Sequence, residues 1–330
     1  DNLTYKINVG ADLILGNSNR WNPTYERGVA VNPLAERFNR RTEDVSWLIE
    51  NTLNYNNTFA EKHNLNVLVG QTSQRSEYSL LSGSAQDFLN NDLRAISLGN
   101  SELRNASGGG TRWALASYIG RVNYNFASKY LLSASVRYDG SSRFGAENKW
   151  GVFPSFSAGW NVAEEAFFDV PWIADLKVRG SWGQLGSDRI GDFNYLTTFN
   201  AGTEYTLGVG NGGPVPGVSL NRLGNPNLRW ETSTQTDIGI DASFFEGRVT
   251  LIADYFVKQT DDLLVNVPIP TSSGVPTNPT VNAGGVRNSG LEMALRYRNS
   301  DGDFTYSVNL NFATIQNEVT SIGSEQTISA

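Results

Sequence analysis

The chain has no cysteine and a single histidine, His63, in 330 residues. The first absence excludes disulfide staples, thiolate-bound zinc and thiol catalysis. The second means that a Ser-His-Asp triad would have to include His63. Charge is also scarce. Asp, Glu, Lys and Arg make up 18% of the residues, and 26 basic against 33 acidic side chains leave a net charge of -7. That balance excludes a dedicated nucleic-acid binder, whose phosphate contacts need concentrated positive charge. Long apolar runs are missing as well; no stretch reaches the roughly 18 residues of a membrane-spanning helix. The opening residues, Asp1-Asn2-Leu3-Thr4, have no basic segment followed by an apolar core and do not read as a signal peptide. Alternation is already under way at Leu3, as expected of a piece of a longer chain. What is abundant is aromatic residues, at 11%, and glycine, at 33 residues. Low charge with many aromatics is the reverse of the disorder signature and suits a strand-rich protein.

Period two dominates the pattern. Phe304, Tyr306, Val308, Leu310 and Phe312 alternate with Thr305, Ser307, Asn309 and Asn311. Leu291, Met293, Leu295 and Tyr297 oppose Glu292, Arg296 and Arg298. Val249, Leu251, Ala253, Tyr255 and Val257 oppose Thr250, Asp254 and Lys258, with Ile252 and Phe256 joining the polar side. The same reading predicts strands over residues 5–13, 44–55, 65–71, 113–126, 130–138, 153–162, 176–182 and 235–244. With those over 248–258, 291–297 and 304–312, about eleven antiparallel strands are expected.

Connection lengths sort by edge. Tight connections are expected at 60–64, 127–129, 245–247 and 299–303, with 164–174 slightly longer. Between them fall long ones at 16–42, 80–111, 187–229 and 260–285, with 140–149 shorter. In an antiparallel meander successive turns lie on opposite edges, so one edge collects all the tight turns and the other all the long loops. Outer-membrane barrels are built this way, with short periplasmic turns and longer outer loops. The faces agree. The polar sides carry Arg137, Arg179, Arg248, Asp254, Glu292, Arg296 and Arg298. A closed soluble core would have to pair nearly all of these charges, whereas an aqueous lumen solvates them. Tyr124, Phe126, Tyr130, Phe244, Phe245, Tyr297 and Phe304 cluster beside the tight turns. They form an interfacial girdle on this reading, and ordinary strand aromatics on the other.

Four ordered blocks then resemble SusC/RagA-like TonB-dependent outer-membrane transporters. The first is Ser141-Ser142-Arg143-Phe144-Gly145 followed by Asn148-Lys149-Trp150-Gly151-Val152-Phe153-Pro154-Ser155. The second is Leu176-Lys177-Val178-Arg179-Gly180-Ser181-Trp182-Gly183-Gln184-Leu185-Gly186. The third is Asn225-Pro226-Asn227-Leu228-Arg229-Trp230-Glu231, and the fourth Gly285-Val286-Arg287-Asn288-Ser289-Gly290-Leu291-Glu292. The resemblance implies an all-β, antiparallel transmembrane β-barrel segment supplying about half of a barrel of about 22 strands. Residues 1–330 would then be part of the barrel domain, with the plug domain and the last strands absent from the chain. It further implies TonB-driven uptake of an oligosaccharide or peptide, a SusD-like surface lipoprotein as lid, and contact with the TonB complex through a plug and N-terminal segment. The implied location is the outer membrane, against lipid, with long loops extracellular and short turns periplasmic. No enzyme activity, cofactor or metal is implied.

Substrate contacts cannot be read from spacing, but Trp21, Tyr25 and Tyr205 are loop aromatics able to stack on sugar faces or grip a peptide, or simply to pack their own loops. Other constellations read as structure. Gly208-Val209-Gly210-Asn211-Gly212-Gly213 precedes Pro214 rather than a helix and reads as a loop, not a phosphate cradle. Glu164-Glu165 and Asp261-Asp262 fall at strand ends and read as solvated carboxylates rather than a glycosidase pair. Asp301-Gly302-Asp303 reads as a tight turn rather than a Ca2+ loop, and His63 as a solvated turn residue. Two alternatives stay open: an outer-membrane barrel enzyme and a soluble carbohydrate-binding β-sandwich.

Overall fold

The computed structural model describes residues 2–205, 214–301 and 303–322. The glycine-rich run at 208–213 and Gly302 of the expected tight turn lie outside the described residues. Eleven strands form one sheet in chain order. They are β1 Leu3–Asn22, β2 Glu36–Phe59, β3 His63–Gln86, β4 Asn105–Phe126, β5 Tyr130–Ser141 and β6 Trp150–Asn161. Then come β7 Ile173–Ser187, β8 Glu231–Phe244, β9 Val249–Asp261, β10 Gly285–Asn299 and β11 Tyr306–Ser321. Every expected strand is present, in a single sheet rather than the two facing sheets of a sandwich. No helix among the described residues is long and apolar enough to cross a membrane, which says nothing of strands.

The tight turns have one geometry. Lys62 N–H bonds Phe59 O, Lys129 N–H bonds Phe126 O, and Gly247 N–H bonds Phe244 O, at 3.2, 2.9 and 3.2 Å. The central residues all have positive φ: Ala60 47° and Glu61 59°, Ala127 51° and Ser128 59°, Phe245 52° and Glu246 56°. Two consecutive positive φ values are the mark of the type I′ turn, whose twist matches the flanking strands. The preferred Asn-Gly pair is absent from all three, so these turns announce themselves by length and not by turn chemistry.

Register separates the faces. Leu251 lies opposite Ala242 and Leu295, and Leu295 opposite Leu310. Thr250 lies opposite Ser243 and Arg296, and Arg296 opposite Asn309. The apolar set is uncovered: Val136, Phe156, Ile238, Ile240, Leu295 and Phe312 are all exposed, although no soluble core surrounds them. Burying such residues normally drives folding; here their partner is the surrounding medium, as in a lipid-facing strand.

The strands outrun the expectation at one end. β1 continues to Asn22, β2 begins at Glu36, β3 ends at Gln86 and β4 begins at Asn105. Residues there, such as Asn17, Ser18, Asn19 and Arg20, are polar on both faces, so no apolar period marks them while the ladder persists. β11 begins at Tyr306 rather than at Phe304. The long connection 188–230 contains a hairpin of Thr198–Tyr205 with Val215–Arg222, and 262–284 contains one of Leu264–Asn266 with Thr280–Asn282.

Two compact units emerge. Unit 1 comprises residues 1–6, 51–71 and 116–330, and unit 2 residues 7–50 and 72–115. Unit 2 has a small core of Ala35, Ala85 and Phe88, with Trp21 and Ile96 against it. In unit 1 the deeply buried apolar side chains Phe144 and Leu228 lie at the roots of the long loops.

Candidate functional site

The polar face of unit 1 carries a row of short polar side chains, hydrogen-bonded at both ends and joined by register between them. Asn66 Nδ2 donates to Asn54 Oδ1 at 3.0 Å, and Asn123 Nδ2 to Asn66 Oδ1 at 3.4 Å. Ser133 Oγ donates to Asn123 Oδ1 at 2.7 Å. The row continues by register through Ser157 and Ser181, and Ser181 Oγ donates to Asp237 Oδ2 at 3.1 Å. Short amides and hydroxyls suit this task, since they reach one strand sideways without climbing out of the sheet. The row was not expected from the alternation. Its signal is three triplets: Asn54-Tyr55-Asn56, Asn64-Leu65-Asn66 and Asn123-Tyr124-Asn125, each putting two amides on the polar face and an apolar residue on the other.

Beside the row, Arg179 bonds two strands at once. Its Nε lies 3.1 Å from Asp241 Oδ1, and its Nη1 and Nη2 lie 2.7 and 2.8 Å from the two Asp254 oxygens. Register places Gly159 and Gly239 on either side of Arg179, leaving room for the guanidinium to lie flat. Asn56, Asn64, Asn123, Lys177, Arg179 and Asp237 help line a cavity of about 440 Å3. It offers amide and hydroxyl donors and acceptors, the charges of Lys177, Arg179 and Asp237, and apolar surface from Leu131, Leu132 and Tyr124. Such a mixed lining suits a group that carries hydroxyls or amides on an apolar frame.

The long-loop edge is rooted by the recognised blocks. Trp230 sits between Phe144 and Phe153, with ring centroids 5.2 and 5.3 Å apart, and its Nε1 donates to Lys149 O at 3.2 Å. Glycines make this packing possible. A Cβ on Gly186 would lie 2.0 Å from Phe153 Cζ, and one on Gly145 would lie 2.9 Å from Pro226 O. Three of the blocks thus converge on one knot, and the fourth opens β10. Ser141 Oγ donates to Asp188 Oδ2 at 2.7 Å, and Arg143 pairs with Asp188 and Asp192 at 3.3 and 2.9 Å. Arg229 bonds both Asp262 oxygens at 2.9 and 2.6 Å, which raises the guanidinium pKa above its ordinary value. Asn282 donates to Arg229 O and Asp262 O at 2.8 and 3.0 Å. The loops 188–230 and 262–284 are therefore tied to each other at the base.

Of the three expected loop aromatics, Trp21 lies in β1 rather than in a loop, because the ladder runs on to Asn22, and Tyr25 and Tyr205 lie in short hairpins. Trp21, in unit 2, meets Phe88 edge-on at 4.9 Å, with the Arg94 guanidinium 5.6 Å from its ring. Tyr25, in the same unit, is 42% exposed in the hairpin of Tyr25–Arg27 with Ala30–Asn32, the Arg27 guanidinium 5.8 Å from its ring. Tyr205, in unit 1, is 45% exposed, and its hydroxyl donates to Val218 O at 3.1 Å.

At the tight-turn edge two expectations change. Glu165 is not simply solvated. It accepts from Tyr130 Oη at 2.6 Å, Lys129 Nζ at 3.0 Å and Trp160 Nε1 at 3.2 Å. The Tyr130 bond first, then those of Lys129 and Trp160, hold its carboxyl below the usual carboxylate range. His63 is half-buried, with Nδ1 2.7 Å from Tyr124 Oη and its ring 4.8 Å from Phe126.

The profile of the TonB dependent receptor-like, beta-barrel family matches residues 1–328. TonB-dependent receptor P39 of Formosa agariphila is 36% identical over 98% of this chain and 30% of the relative. TonB-dependent receptor SusC of Bacteroides thetaiotaomicron is 37% identical over 68% of this chain and 22% of the relative. Among solved structures, the RagAB peptide transporter superposes with a TM-score of 0.86 at 28% identity, covering 97% of this chain and 35% of that one. The chain thus spans about a third or less of the length of the proteins it matches.

Proposed function

The chain belongs to the family of TonB-dependent receptor-like β-barrels, an outer-membrane family of receptors and transporters rather than enzymes, and from that membership we propose that it builds part of the wall of a TonB-driven importer. The observation that carries the reading is the two-faced sheet: Arg179, Asp241 and Asp254 bonded together on one face, and an uncovered band of Val, Leu, Ile and aromatic side chains on the other. The cargo is a large nutrient, an oligosaccharide or peptide. The amide and hydroxyl row suits either, because it offers hydrogen bonds without demanding charge. The RagAB relative is described as a peptide transporter, which favours the peptide arm for that protein.

A plug domain fills the lumen and carries the TonB contact, and the long loops face outward beneath a SusD-like lipoprotein lid. The rooted loops support that sidedness: loops 188–230 and 262–284 are tied at the base, while the opposite edge carries tight turns at 60–61, 127–128 and 245–246 and the longer connection 162–172. The test is deletion of most of residues 188–230 in the full-length transporter. Lid capture or uptake should disappear while the barrel still assembles, because surface loops tolerate loss better than ladders do. Uptake that persists without the loop would refute the assigned sidedness.

A further inference from the structure

At the tight-turn edge of unit 1, a groove of about 670 Å3 opens between the turns that follow β6 and β8. Trp172, Phe245, Tyr297 and Val249 line it together with Glu246 and Arg248. It lies on the apolar side of the sheet. Val249 faces Phe244 and Tyr297 in register, and Tyr297 faces Val308. Trp172 stacks on Phe244 with centroids 5.7 Å apart and planes at 15°.

Three features set this place apart from an ordinary girdle. First, the walls are uncovered: Trp172 is 52% and Phe245 55% exposed. Second, Phe245 holds a φ of 52° at a turn position where the two sister turns carry Ala60 and Ala127. A bulky residue pays a steric penalty in the left-handed region, and the ring so placed forms a groove wall. Third, the rim bears both signs of charge. Arg248, which alternation assigns to the polar side, stands just before β9 and lines this groove instead; it is bonded to Asp301 yet keeps 46% of its side chain exposed. Glu246 makes no hydrogen bond or ion pair among the described residues and is exposed.

We propose that this groove is a binding site for one zwitterionic phospholipid with a primary ammonium headgroup. Its phosphate meets the free edge of the Arg248 guanidinium, and its ammonium donates to Glu246. The glycerol and upper acyl chains lie between Trp172 and Tyr297, and the chains continue along Val249, Leu251 and Leu295. Aromatic walls at the apolar–polar boundary suit that seat, since their rings carry an apolar body and tolerate a wet edge. The charge pair selects the lipid. A phosphatidylglycerol offers no cation to Glu246, and the quaternary ammonium of phosphatidylcholine cannot donate a hydrogen bond. The proposal rests on the lipid-facing assignment of this face and not on transport.

The test is native mass spectrometry of the full-length transporter, exchanged in mild detergent into an equimolar mixture of phosphatidylethanolamine, phosphatidylcholine and phosphatidylglycerol. The wild type should retain the ethanolamine lipid about ten-fold over each of the others, the scale of one charge-assisted hydrogen bond. Glu246→Gln should bring that preference over phosphatidylcholine close to parity, and Trp172→Leu should lower retention of all three. Heat-modifiable migration of the same samples reports barrel assembly separately, so a failed fold is not mistaken for a lost site. Equal retention of the three lipids by the wild type, preference for phosphatidylglycerol, or an unchanged preference in Glu246→Gln would each overturn the proposal. The wild-type comparison needs no variant to fold.

Discussion

Arg179 crosses directly over Gly239 to reach Asp254. A Cβ on Gly239 would lie 2.2 Å from Asp254 Oδ1 and 2.8 Å from Arg179 Cζ. The glycine is therefore space for a salt bridge, not slack in the strand. Gly239→Ala should push the guanidinium aside and leave Asp254 and Asp241 facing each other without their cation. The expected loss is about 1–3 kcal/mol, toward the lower value because Arg179 is a third exposed and partly screened. Urea unfolding of the full-length barrel in lipid vesicles measures it. An unchanged midpoint would mean that Arg179 contributes nothing to the wall.

The Glu165 cluster makes stability depend on pH. Its carboxyl lies below its ordinary pKa of 4.5 in the folded chain. A group with a depressed folded pKa stabilises above the unfolded value and loses that contribution as pH falls through the folded value. The wild type should therefore lose stability below about pH 4.5, and Glu165→Gln should show a shallower slope there. Unfolding midpoints between neutral and acidic pH give the two slopes. Parallel slopes would assign the acid sensitivity to other carboxylates.

Much of this architecture was legible in the residues, for a physical reason. A strand between lipid and water must alternate, and Phe304 to Phe312 or Leu291 to Tyr297 do so almost without exception. Legibility ends where the medium on the two faces becomes the same. Asn17 to Arg20 are still in β1, but nothing apolar marks them. The row through Asn54, Asn66, Asn123 and Ser133 was hidden differently: each member is an ordinary polar position, and only register joins them. The reverse holds for Glu165, whose partners Lys129 and Tyr130 come from another turn that no local pattern points to.

The knot of Phe144, Phe153 and Trp230 should govern the loops more than the barrel. Phe144 is 1% exposed and sits at the loop base, outside the ladder. Phe144→Ala should cost about 3–5 kcal/mol locally and loosen the tie between residues 142–149 and 188–230. Protease cleavage in those loops should rise while heat-modifiable migration persists. Loss of migration itself would place the knot in the folding nucleus of the barrel and not merely under its loops.

The strongest separation between lipid-facing and core-facing readings comes from β9. Leu251 faces Ala242 and Leu295 on the apolar side, and Thr250 faces Ser243 and Arg296 on the polar side. If the apolar side meets lipid, Leu251→Arg should cost roughly 2–4 kcal/mol at the bilayer midplane, and Thr250→Arg much less, because a lumenal arginine stays hydrated. Those two variants alone leave a packed protein core possible, since burying a charge damages that too. Ala253 decides between them. It lies between Ile240 and Met293 on the same apolar side. A close-packed core would resist the added volume of Ala253→Leu, at about 1–3 kcal/mol. Fluid lipid chains make room, so against lipid the same change should be neutral or stabilising. All three variants can be compared by denaturant unfolding of the refolded full-length barrel in vesicles. A clear loss of stability from Ala253→Leu would sink the lipid-facing assignment, and with it the seat proposed for the phospholipid at Trp172 and Tyr297.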